Sequence, residues 1–98
     1  MIEFEWDPAK AKSNERKHGI RFEDAIKVFM DPDAVFREDT ANRGEERWQV
    51  IGIASGITVL LVVHTVTTKI EGHTEVIRII SARAASRMEQ DIYDENRS

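Results

Sequence analysis

Apolar and acidic residues alternate along Ile2-Glu3-Phe4-Glu5, a period of two that fits a short strand with one face buried. Asp7-Pro8 then opens a helix, because an Asp at the cap accepts from free N–H groups and a Pro in the first turn loses no hydrogen bond. That helix is predicted to run to about His18, with Gly19 as its left-handed stop. Phe22, Ala25, Ile26 and Phe29 recur at spacings of three and four, so a second helix is predicted over Phe22 to Met30, ended by Asp31-Pro32. A short strand fits Ala34 to Arg37, and the polar run Glu38 to Glu46 reads as a loop.

Beyond the loop the pattern becomes that of strands. Arg47 to Ala54, Ile57 to Thr67 and Thr74 to Ser81 are rich in β-branched and apolar residues, separated by Ser55-Gly56 and by a polar stretch through Gly72. Links this short join neighbours, so the three are expected to form an antiparallel meander. Ser81 is expected to cap a closing helix from about Ala82 to Glu95, with Ala85, Met88 and Ile92 laid on the sheet. A short strand, two helices, a meander and a closing helix make an α+β domain, its helices expected on one sheet face and the other face partly open. Alternation puts Thr58, Leu60, Val62 and His64 on one face of the long strand and Val76, Arg78 and Ile80 on one face of the next. In matching register His64 and Arg78 are neighbours, and a slip of one residue parts them.

A chain of 98 residues is one domain, able to bury about 60–65% of its unfolded surface. No repeat, linker or low-complexity tract divides it. Cysteine is absent, which removes disulfides, thiolate metal sites and thiol nucleophiles together. The longest nearly unbroken apolar run, Ile57 to Val63, falls far short of a membrane span, so a soluble, cytoplasmic protein is expected. His18, His64 and His73 show no metal-binding spacing, and Gly44, Gly52, Gly56 and Gly72 sit singly rather than in a phosphate-cradling loop. Neither a metal nor a cofactor is expected.

A net charge of −4 argues against binding nucleic acid with the whole surface. The charges are segregated, however. Lys10 to Arg21 holds five Lys or Arg against the single acid Glu15, while acids collect in Glu23 to Glu46 and from Glu89 onward. Ile77 to Arg83 sets Arg78 within, and Arg83 just beyond, an otherwise apolar strand. A buried unpaired guanidinium is costly, so each needs a carboxylate, with Glu45, Glu46 and Glu75 as candidates, or an anionic ligand. If folding brings these arginines to Arg16-Lys17-His18, one surface becomes an anion site.

The segments Phe4-Glu5-Trp6-Asp7, Lys17-His18-Gly19-Ile20, Phe22-Glu23-Asp24-Ala25, Val28 to Pro32, Gly44-Glu45-Glu46-Arg47, Ile51-Gly52, Val62 to Thr65 and Ile77 to Arg83 together resemble the BrnT toxins of bacterial type II toxin–antitoxin systems. The likeness spans nearly the whole chain in order. It implies a RelE-like ribonuclease fold, translation arrest through RNA cleavage, and neutralisation by a small BrnA-type antitoxin whose ribbon-helix-helix domain binds DNA in the toxin's stead.

Metal-free RNA cleavage needs a base for the 2′-hydroxyl proton, cations for the phosphorane oxygens and an acid for the leaving 5′-oxygen. His18 is the candidate acid or base, with Lys17 beside it supplying positive charge. Arg78 and Arg83 are the candidate phosphate grips, and Arg83 is expected in the first turn of the last helix. Arg47 and Glu45 are a further phosphate contact and base, with a cross-strand pair as their ordinary alternative. His64 is a reserve acid or base. The competing function is a module of the same fold that binds RNA, the ribosome or a protein without cutting.

Overall fold

The computed structural model describes residues 1–40, 46–56, 58–69 and 71–97. Strand β1 (Ile2–Glu5) leads into α1 (Pro8–His18), where the Asp7 side chain accepts from the Ala9 N–H at 2.8 Å. Gly19 ends the helix at φ 72°, and its N–H donates to Glu15 O at 2.8 Å. A side chain there would strain that left-handed backbone. Both elements match the expected bounds, because each is specified by local chemistry.

The expected second helix is divided. α2 (Phe22–Ala25) passes into a 3₁₀ segment, Ile26–Met30, which tightens the chain before the extended Asp31 that precedes Pro32. Strands β2 (Val35–Glu38), β3 (Trp48–Ile53), β4 (Val59–Lys69) and β5 (Thr74–Ala84) form the meander, and α3 (Arg87–Arg97) closes the chain. The sheet order is β1-β5-β4-β3-β2, with β1 parallel to β5 and the other pairs antiparallel.

Helices cover both faces of this sheet, which corrects the expectation of a single helical layer. On one face α2 and the 3₁₀ segment bury Phe22, Ala25 and Val28 against Val50, Leu60, Val62, Ile77 and Ile79. On the other, Tyr93 of α3 packs on Ile51 and Leu61, flanked by Val35, Val59 and Val63. The reason lies in β4, whose run Val59-Leu60-Leu61-Val62-Val63 is apolar on both sides, so both faces must leave water. Gly52 sits where β3 meets the first layer. A Cβ there would lie 2.9 Å from Val28 Cγ1 and 3.1 Å from Asp31 Oδ2, so only hydrogen fits. Among the described residues no helix is long and apolar enough to cross a membrane.

Strand β5 runs three residues further than expected, and this moves the closing helix. Ala82, Arg83 and Ala84 pair with Val62, Leu61 and Leu60, so Arg83 lies in a strand rather than in a first helical turn. Ser86, not Ser81, is the cap. Its Oγ accepts from the Glu89 N–H at 3.2 Å while Glu89 Oε1 accepts from the Ser86 N–H at 2.8 Å, a reciprocal capping box.

Candidate functional site

Pairing along β4 fixes which side chains share a face. Arg78 lies opposite Thr65 and Arg83 opposite Leu61. Residues 61 and 65 are four apart on an unbroken strand, so both arginines stand on the α3 face. A separation of five would put them on opposite faces of a regular strand. The register shift between Val63 and His64, which face Ser81 and Ile79, inserts Ile80 into β5 as a bulge and restores the match. The same pairing sets His64 opposite Ile79 on the other face, so His64 and Arg78 are not neighbours. His64 is 1% exposed, and burial holds its imidazole below its ordinary pKa.

The α3 face is basic where α3 does not cover it. Arg37 stands on it through its pairing with Gln49, to whose Oε1 its Nε donates at 2.6 Å. Arg47 continues that alternation one residue before β3, where its carbonyl accepts from the Asp39 N–H. Arg78 is exposed, and its Nη1 is 4.0 Å from Glu5 Oε2, a surface pair of small energetic weight. Arg83 is tied down. It donates to both carboxylate oxygens of Glu89, at 2.8 and 2.9 Å, and to Ala84 O at 3.1 Å, while Arg37 approaches the same carboxylate at 3.5 Å. The bidentate bonds from Arg83 lower the Glu89 pKa from 4.5 to about 2 and raise that of Arg83. The partners found are therefore Glu5 and Glu89, rather than Glu46 or Glu75 among the described candidates. Glu45 lies outside the described residues.

Beside this face runs a second cationic surface. Beyond Arg78 the outer edge of β5 has no strand neighbour among the described residues, because β1 stops at Glu5. Helix α1 takes that place through one side chain. Asn14 Nδ2 donates to Ala82 O at 2.9 Å and to Ile20 O at 3.0 Å, and its Oδ1 accepts from the Ala82 N–H at 3.0 Å. The amide thus completes the edge as another strand would. Residues 10, 13, 14, 17 and 18 form one stripe of α1, and all line a groove of about 190 Å³ against Ile80 and Ser81. A helix normally packs an apolar stripe, whereas this one presents Lys10, Ser13, Lys17 and His18.

The groove meets the arginine face at Ser81, which lies on the α3 side between Arg78 and Arg83. The expected residues therefore fall into three places. Lys17 and His18 line the groove, Arg47, Arg78 and Arg83 share the adjoining face, and His64 lies across the sheet. Lys10, Ser13, Arg37 and Glu89 were not anticipated. The stripe spacing of Lys10 with Lys17 and the Ser86-x-x-Glu89 capping signature were both legible. Arg37 gave no local signal. Among the described residues no three His, Asp or Glu side chains gather as a metal site.

Comparison with known proteins bears on the family and the fold. The family described as "Ribonuclease toxin, BrnT, of type II toxin-antitoxin system" matches residues 6–89. A crystal structure of the Brucella abortus ribonuclease toxin BrnT is similar to this fold, with a TM-score of 0.67 and 26% identity, over 89% of this chain and 100% of that one. No functionally curated protein matches the sequence.

Proposed function

The chain belongs to the BrnT family of ribonuclease toxins of type II toxin–antitoxin systems, and we propose that it is an endoribonuclease cutting RNA through the 2′-hydroxyl without a metal ion. The observation that carries this reading is the polar stripe of α1, Lys10-Ser13-Lys17-His18, set against the β5 edge beside the arginine face. A phosphodiester lying across Ser81 meets cations from both sides. In this reading His18 moves the proton, Lys17 and Lys10 stabilise the phosphorane oxygens, and Arg78 and Arg47 grip the flanking phosphates. Arg83, its fork already engaged by Glu89, keeps α3 and the local positive potential in place. His64, expected as a reserve acid or base, takes no part.

A toxin of this type has an antitoxin partner. We further propose a small BrnA-like ribbon-helix-helix protein, with DNA bound through that partner alone, and translation arrest in the cytoplasm as the result of toxin action. The competing reading, a module that binds RNA or protein without cutting, draws on one observation, the closure of the Arg83 fork by Glu89.

Product analysis separates the two. Incubated with RNA in the presence of EDTA, the protein is expected to leave 2′,3′-cyclic phosphate or 3′-phosphate ends. His18→Ala and Arg78→Ala should each lower cleavage by about 10²–10⁴-fold with the fold intact. Arrest of translation with intact RNA, or undiminished cleavage by both variants, would defeat the proposal.

A further inference from the structure

The sheet face beneath α1 and α2 is incompletely covered. Where the helical layer ends at Phe29, a cleft of about 270 Å³ opens among Phe29, Phe36, Trp48, His64, Val66 and Glu75. The His64 ring stands edge-on to Phe29, centroids 4.9 Å apart at 81°, and to Phe36 at 6.3 Å and 86°. Trp48 lies opposite His64 across the β3–β4 pair. Phe36 is 53% exposed and so open to a partner, with Phe29 and Trp48 half-buried behind it. Two carboxylates share this face: Glu75 in the lining, and Glu38, which pairs in register with Trp48.

We propose that this cleft anchors the antitoxin by receiving one of its arginine or lysine side chains, with the charged head over the rings beside Glu75 and the aliphatic stem along Val66. The proposal rests on the reading of the chain as the toxin of a toxin–antitoxin pair. Aromatic faces attract a cation, an apolar wall suits a methylene stem, and the carboxylates supply charge complementarity at the rim. Because His64 is buried, its imidazole stays neutral near pH 7 and brings no positive charge of its own. The cleft lies across the sheet from Arg78 and Arg83 and shares no lining residue with the groove that holds Lys17 and His18, so anchoring there and RNA cleavage are separable by mutation.

The test is a titration of the isotope-labelled full chain, read at the Trp48 and His64 ring signals by NMR. N-acetyl-argininamide is expected to move them, N-acetyl-norleucinamide and adenosine monophosphate much less, and Glu75→Gln or Phe36→Ala to weaken the effect about 3- to 10-fold. With purified antitoxin, Glu75→Lys should lower affinity about tenfold, by added repulsion as well as lost attraction, while RNA cleavage stays at its original rate. Ring signals unmoved by the argininamide, an equal response to norleucinamide or the nucleotide, or unchanged antitoxin affinity in Glu75→Lys would overturn the proposal. If the unsubstituted chain cuts no RNA, the nuclease reading fails, while the titration and the antitoxin affinity still decide this one.

Discussion

Asn14 offers the sharpest test of how the groove is built. It is buried, and its amide is the only described group completing the β5 edge at Ala82, a residue with no exposure of its own. Asn14→Ala removes that amide and leaves the Ala82 N–H and C=O facing a small gap. A buried backbone group without a partner costs about 1–3 kcal/mol, so the two together predict a loss of about 2–6 kcal/mol. Ile20 O, the third group bonded to the amide, is only partly buried and reaches water at little cost. For a domain of this size the loss lowers Tm by about 10–30 °C. Asn14→Asp is expected to be worse than alanine. It keeps an acceptor for the Ala82 N–H but turns a carboxylate oxygen toward the carbonyls of Ala82 and Ile20, where the native amide donates to both. Urea unfolding followed by Trp6 and Trp48 fluorescence measures both variants. If Asn14→Ala falls within about 0.5 kcal/mol of the unsubstituted protein, a change within the ordinary range for surface sites, or if Asn14→Asp is the more stable variant, the idea of an amide standing in for a strand is wrong.

Other substitutions probe the remaining parts of the framework. Glu89 is held at a pKa of about 2 against 4.5 ordinarily, so its contribution is fully present above pH 4.5 and is lost as pH falls toward 2. Glu89→Gln should therefore cost on the order of 3 kcal/mol at neutral pH and flatten the acid limb of the stability curve; an unaltered acid limb refutes the pairing with Arg83. His64 is depressed below 6.5, so the unfolded chain takes up its proton first and stability declines as pH drops below 6.5. His64→Phe should abolish that decline, and a persistent one assigns it elsewhere. Gly52→Ala forces a methyl against Val28 and Asp31 and should cost about 1–3 kcal/mol in chemical denaturation; a neutral result refutes the close approach of β3 to the first layer.

Elements specified by their own residues could be read directly from the chain. β1 and α1 have the expected bounds because Asp7-Pro8 and Gly19 act within a few residues of themselves. The last helix was misplaced because two serines competed for the cap. Ser86 wins because Glu89 answers it from three residues on, while Ser81 is drawn into the pairing of β5 with β4. The uninterrupted apolar run of β4 already carried the signal for a helix on each face.

The amino-acid order alone therefore determined the α+β class, the principal elements and the presence of two cationic groups. Tertiary structure decided whether those groups meet. No local signal marks Ile80 as an extra residue, yet that bulge brings Arg78 and Arg83 to one side of the sheet and parts Arg78 from His64. Nor does any local rule say that β1 pairs in parallel with β5, so that its end leaves an edge for Asn14 to fill and carries Lys17 and His18 to Ser81. Side-chain facing has a period of two, so a single inserted residue reverses it, and that insertion is chosen by contacts between strands distant in the chain rather than by neighbours along it.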